Sequence, residues 1–197
     1  MAIAPIEPAL GLLELESIAA GIEAGDAMVK RAPVEVLRAG TVHPGKYLVL
    51  VGGEVADVEE ALEAGREIGG LAVRDVTFLA AVHPDVVEAV RGTRQSAAAE
   101  ALGIIETATV PAIIRAADAG LKGADVRLLE IHLADDLGGK GYLLFDGTVT
   151  DVEAAVEIGT AAVGEARGLH ARVIAQLHTE MADELAADGR FASRVGR

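Results

Sequence analysis

Cysteine is absent from this chain of 197 residues. Disulfides, thiolate nucleophiles and cysteine-ligated zinc or iron–sulfur centres are therefore excluded. Aromatic residues make up only 3%, with no tryptophan. The core must be built from Ala, Val, Leu and Gly, whose small side chains allow close backbone approach. Cations are also few: 17 Lys and Arg stand against 31 Asp and Glu, a net charge of −14. That balance disfavours nucleic acid and anionic membranes, because both are bound through Lys and Arg that displace counterions. No apolar run approaches the ~20 residues that cross a bilayer. Residues 1–8 lack a basic stretch followed by an apolar one, so no secretory leader is expected and a cytosolic location is.

What the chain does have is a repeat. Ala9-Leu10-Gly11-Leu12-Leu13-Glu14 returns as Ala101-Leu102-Gly103-Ile104-Ile105-Glu106, at an offset of 92. Over residues 9–34, 12 of 26 positions are identical in the second copy. Further on the offset becomes 94, because the loop after the second strand is longer by two residues. Residues 45–65 then match residues 139–159 at 11 of 21 positions, around a shared Gly-x-Val-x-Asp-Val-Glu-x-Ala. Internal similarity at such a period marks duplicated structural units. The expected organisation is an arm at 1–8, a domain at 9–92, a linker at 93–100, a second domain at 101–187 and a tail at 188–197.

Within each unit the punctuation predicts β-α-β-β-α-β with a short terminal helix. Residues 10–15 read as a buried strand, and Ser17 as the cap of a following helix that Pro33 closes. Ile18, Ile22, Gly25, Met28 and Val29 recur at helical spacing and predict its buried face. Two β-branched runs, 34–41 and 46–51, flank Val42-His43-Pro44-Gly45 and predict a hairpin. Val55, Val58, Ala61, Leu62, Gly65 and Ile68 predict the buried face of a second helix. A strand at 73–80 and a short helix at 85–90 complete the unit. In the second unit the strands fall at 102–107, 126–133, 142–146 and near 171–177. Its first helix spans 109–122, with Thr109 as cap and Pro111 in the first turn. This is the ferredoxin-like α+β arrangement, with two helices on one face of an antiparallel sheet and the other face uncovered.

Catalytic constellations are missing from the pattern. There is no Ser-His-Asp set, no paired-carboxylate signature and no His-x-x-x-His spacing. Gly138-Gly139-Lys140 and Gly52-Gly53 lack the context of a phosphate-binding loop and read as turns. No enzyme, cofactor or metal is expected. Tandem ferredoxin-like domains also occur in regulators that bind small molecules, and fold alone does not choose between the functions.

The combined motifs resemble those of the bacterial microcompartment shell-protein family. Its domain opens with a strand of the Ala-Leu-Gly-Met-Ile-Glu type. A helix ending Ala-Asp-Ala-x-x-Lys-x-Ala-x-Val follows, then a Gly-rich hairpin loop, then Gly-Asp-Val before the second helix. Both halves follow this order, over roughly residues 9–90 and 101–186. The resemblance implies two tandem BMC domains of the unpermuted, single-layer type. It implies a homotrimer mimicking a hexagonal tile, packed laterally against other shell proteins, with a central pore for small metabolites.

The same resemblance assigns residues. The hairpin loops line the pore: His43, Pro44 and Gly45 from the first repeat, and Asp135, Asp136, Leu137 and Gly138 from the second. A ring of Asp135 and Asp136 would disfavour anionic solutes, while a solvated hairpin tip is the plainer alternative. Lys30 and Lys122 match the family's edge lysine, which lies along the neighbouring tile; a lysine favoured by a helix C-terminus is the plainer alternative. The Arg of the family's Pro-Arg-Pro-His segment is missing from both copies, Ala80-Ala81-Val82-His83 and Ala175-Gln176-Leu177-His178. Glu14 and Glu106 are read as structural.

Overall fold

The computed structural model describes residues 8–97, 100–164 and 168–187. Apart from Pro8, the expected arm and the expected tail lie outside the described residues. The first half runs β1 (Ala9–Leu15), α1 (Ile18–Arg31), β2 (Val36–Val42), β3 (Lys46–Gly53), α2 (Val55–Gly69), β4 (Val73–Leu79) and α3 (Pro84–Val90). The second half repeats it as β5 (Ala101–Thr107), α4 (Val110–Gly123), β6 (Arg127–Leu133), β7 (Gly141–Gly147), α5 (Val149–Val163), β8 (His170–Ile174) and α6 (Thr179–Ala186). Each half forms one antiparallel sheet, ordered β2-β3-β1-β4 and β6-β7-β5-β8. The opening strand is central in both, as the ferredoxin-like reading requires.

Local chemistry sets the element boundaries. The Ser17 and Thr109 hydroxyls accept from the amides of Ala20 and Ala112, satisfying donors that a helix start leaves orphaned. The His83 and His178 rings do the same for α3 and α6. Gly70, at φ 48°, ends α2 in the left-handed region that glycine tolerates.

The two cores fill the same space with exchanged volumes. A Cβ on Gly21 would stand 2.5 Å from the Tyr47 side chain. At the equivalent pair the large residue is on the helix: a Cβ on Gly141 would stand 2.5 Å from Ile113. Likewise Met28 and Val51 in the first core correspond to Gly120 and Phe145 in the second, where a Cβ on Gly120 would stand 2.6 Å from the Phe145 ring. Helix and strand trade bulk so that total volume is kept, which close-packed interiors require.

Four expectations need correction. The buried side of α1 is Gly21, Ala24, Gly25 and Met28, whereas Ile18, Ile22 and Val29 are 40%, 56% and 40% exposed. Helical periodicity located an apolar stripe there, but the tightest packing goes to small residues. On α2 the ends of the stripe, Val55 and Ile68, are likewise exposed, and Ala64 and Gly69 are buried instead. Strand β8 stops at Ile174 instead of continuing to 177.

The sheet face turned away from the long helices is also not bare. Helix α3 of the first half packs on β6 of the second. Val82, Val86 and Val87 join Leu128 and Ile131 in a core cluster that also contains Leu10, Leu12 and Val110. One hydrophobic cluster therefore runs through both halves.

Candidate functional site: the interdomain seam and the hairpin loops

The seam begins at Glu14, in the middle of β1, whose side chain is fully buried. Lys46 Nζ lies 2.6 Å from its Oε1, and the Val110 amide donates to its Oε2 at 2.7 Å. Val110 opens α4, so a carboxylate of one half neutralises an orphan amide and the positive end of a helix dipole of the other. Burial pushes the Glu14 carboxyl above its usual range, while Lys46, Val110 and Arg74 pull it back. Truncating either member of such a pair leaves an uncompensated charge in the interior.

Outward from Glu14 a run of polar side chains bonds across the seam. Arg115 on α4 reaches β4, donating to the Val76 carbonyl at 2.6 Å and to Thr77 Oγ1 at 2.7 Å. Both guanidinium ends also reach Asp75, at 3.2 and 3.3 Å. The Thr109 hydroxyl bonds Asp75, and the Thr77 hydroxyl donates to the Pro111 carbonyl at 2.8 Å. At the far end, the His83 amide donates to Asp118 Oδ1 at 2.8 Å.

The edge candidates occupy different settings. Lys122 Nζ donates to the Ala81 carbonyl at 2.5 Å and to Asp118 Oδ2 at 2.6 Å, so its charge is engaged across the seam within the chain. Lys30 pairs only with its own helix neighbour Asp26 among the described residues and is largely exposed.

The two hairpin tips come together at the other end of the seam. The His43 amide donates to Asp135 Oδ1 at 3.3 Å. His43, Gly45, Asp135 and Asp136 line one open cavity of about 680 Å³. Ala134, Asp136, Gly138 and Gly139 all have positive φ, which coils the longer loop tightly. A Cβ on Gly139 would stand 2.9 Å from Lys46 Nζ and 3.0 Å from the His43 carbonyl, so glycine is required where one loop presses on the other. Pro44 and Gly138 are exposed at the tips, and Leu137 is half-buried beside them. Behind the loop His132 stacks on Tyr142, with ring centroids 5.4 Å apart. Among the described residues, no cation pairs with Asp135 or Asp136, and no three His, Asp or Glu converge as a metal site.

This architecture has known counterparts. The BMC domain matches the chain twice, over residues 9–82 and 101–177. The chain belongs to the BMC-domain family. A relative from Citrobacter freundii, the bacterial microcompartment shell protein PduT, is 41% identical over 175 residues, covering 88% of this chain and 95% of its own. The carboxysome assembly protein CcmO of Synechocystis is 32% identical over 184 residues, covering 86% of this chain and 61% of its own. Among solved structures, a microcompartments protein from Desulfitobacterium hafniense DCB superposes with a TM-score of 0.76 at 39% identity, over 89% of this chain and 98% of that one. These relatives are shell and assembly proteins by name, not enzymes.

Sequence reasoning singled out the hairpin residues but missed the rest of the seam. Arg115, Asp75, Thr77 and Lys46 carry no motif of their own, and Asp118, although it is the Asp of the shared helix motif, gives no sign in the sequence that it reaches across the seam. One signal was available: Lys46 and Lys140 hold equivalent positions, as do their partners Glu14 and Glu106.

Proposed function

We propose that this BMC-domain protein is a structural subunit of a bacterial microcompartment shell in the cytoplasm. Three chains of two domains each form a pseudohexagonal tile, which packs edge to edge with other shell proteins. The convergence of the His43 and Asp135 loops at one end of the seam carries this reading. Repeated around a three-fold axis, the paired loops would surround a central hole, with His43, Pro44 and Gly45 alternating with Asp135, Asp136, Leu137 and Gly138. Small metabolites would cross there, and the unpaired carboxylates would disfavour anions. Lys30 and Lys122, near the ends of α1 and α4, would lie toward the rim, with Lys122 anchored on its own chain through Ala81. The domains span 9–92 and 101–187, joined by a linker at 93–100. Membrane insertion has no support, since no described helix is long and apolar enough to cross a bilayer. No observation favours a ligand-binding regulator.

The test is light scattering on the purified protein, followed by electron microscopy at high concentration. A trimer that grows into sheets or tubes is expected. A stable monomer or dimer at all concentrations would overturn the reading.

A further inference from the structure

The two halves differ in what lies on the sheet face turned away from their long helices. In the second half, Ile104, Tyr142, Leu144 and Leu185 belong to a small apolar cluster that takes in Ala97 of the linker. Polar contacts hold the linker there. The Gln95 amide donates to the Leu129 carbonyl at 2.8 Å. The Arg94 guanidinium bonds the buried Glu130 carboxylate, and also reaches the carbonyls of Leu185 and Ala187 at the end of α6. The stretch that precedes β5 is thus a strap across the second sheet.

Strand pairing fixes the equivalent positions in the first half. Leu12 and Arg38 both lie opposite Leu50, as Ile104 and Glu130 lie opposite Leu144. Leu48 lies opposite Glu14 as Tyr142 lies opposite Glu106, and Val90 near the end of α3 matches Leu185 of α6. Here Leu12, Leu48, Leu50 and Val90 line an open apolar groove of about 440 Å³ where the second half has a covered cluster. Val42 and Leu133, the last strand residues before the two hairpin tips, also line it.

The counterpart of the linker is the arm. At the offset of 92, residues 1–7 correspond to residues 93–99. Gln95 and Ala98 of the linker become Ile3 and Ile6, so the arm is the more apolar of the two. Pro5 and Pro8 favour an extended chain, at their own positions and at Ala4 and Glu7 before them. A polyproline-type strand has three residues per turn, which puts Ile3 and Ile6 on one side. The polar anchor of the linker is missing from both partners together: Arg94 becomes Ala2, and Glu130 becomes Arg38. The base of the arm is also in place. The Pro8 carbonyl accepts from the Val82 amide at 3.0 Å, and Val82 packs in one cluster with Leu12 and Leu50. Arg38 lies two strands across and three residues along from Ala9, about 14 Å by sheet spacing. Seven extended residues reach about 22 Å.

We infer that residues 1–7 lie in this groove, with Ile3 and Ile6 seated against Leu48 and Leu50, and strap the first sheet as the linker straps the second. Residues 188–197 suit it less. Arg190, Arg194 and Arg197 would bring cations to Arg38, whereas the one charged side chain of the arm is Glu7. Seated there, the arm braces Val42 and Leu133 at the roots of both hairpin tips. The inference concerns contacts within one chain and stands apart from the shell-tile reading.

A chain without cysteine permits a direct test. Gly40 borders the groove, and a Cβ there meets nothing within 4 Å, so Gly40→Cys leaves the sheet intact. The full chain carrying Ile3→Cys and Gly40→Cys is treated with a short bismaleimide, and the products are resolved by denaturing gels and peptide mass spectrometry. A link within one chain is expected, at least about tenfold faster than for Ile3→Cys with Glu59→Cys, which lies in α2 on the opposite side of the sheet. Adding Ile6→Asp should slow the Gly40 link at least about fivefold, because a carboxylate does not enter an apolar groove. Equal rates for the two pairs, indifference to Ile6→Asp, a link between chains, or a faster link from Phe191→Cys to Gly40→Cys each overturns the inference. Light scattering on the same samples reports trimer formation separately, so the tile reading stands or falls on its own.

Discussion

Replacing Lys46 with Met removes the cation from a fully buried carboxylate while keeping most of the side-chain volume. Breaking a buried pair by removing one partner costs about 3–5 kcal/mol. Glu14 keeps the Val110 amide at 2.7 Å and Arg74 at 3.6 Å, so the loss belongs near the lower end. At about 3 kcal/mol, a chain of this size loses roughly 6–12 °C in melting temperature. The chain contains its own control, because Lys140 and Glu106 form the equivalent pair at 2.6 Å with both groups partly exposed. Lys140→Met should cost only about 0–1 kcal/mol in the dissociated chain. Denaturant titration under dilute conditions, followed by circular dichroism, measures both.

The pH dependence has a definite sign. Without Lys46 the Glu14 carboxyl rises further above its ordinary value of 4.5, since desolvation is opposed by fewer groups. A carboxyl whose folded value is raised contributes stability that is complete below the unfolded value and lost as pH climbs through the folded one. The deficit of Lys46→Met against wild type should therefore be larger at neutral pH than in acid and shrink as pH falls toward 4.5. Equal costs for Lys46→Met and Lys140→Met in the dissociated chain, or a deficit that grows on acidification, would refute the buried-pair argument.

Four further outcomes follow from the structure. Gly120→Ala forces a Cβ to within 2.6 Å of the Phe145 ring, and should cost about 1–3 kcal/mol by thermal melting. Gly120→Met combined with Phe145→Val, which copies the Met28 and Val51 pairing, should recover much of that loss. Asp135→Asn with Asp136→Asn should raise anion passage through a reconstituted shell without altering the trimer, and unchanged selectivity would place these carboxylates away from the pore. Lys30→Ala should reduce sheet growth in electron micrographs while the trimer persists, because an exposed lysine contributes little to a large interface.

The duplication, the order of elements and the identity of the hairpin residues were all legible in the chain itself. Local signals carry that information: caps at Ser17 and Thr109, turns at Pro44 and Gly45, and motifs matched at offsets of 92 and 94. The buried face of α1 was not legible. Periodicity marks Ile18, Ile22 and Val29 as apolar, but it does not distinguish a side chain that faces its own sheet from one held for a neighbour. Only packing makes that distinction, and here the domain core goes to Gly21, Ala24, Gly25 and Met28.

The sequence by itself determined that there are two copies of one α+β unit, with a shared strand motif and two kinds of loop. Tertiary structure decided what the copies do to each other. It buried Glu14 while leaving Glu106 partly exposed, seated α3 on the sheet of the other half, and set Arg115 against Asp75. The physical reason is range. Caps, turns and periodic stripes act over a few residues, whereas an ion pair across the seam joins positions 40 apart in the chain, and His43 meets Asp135 at a separation of 92.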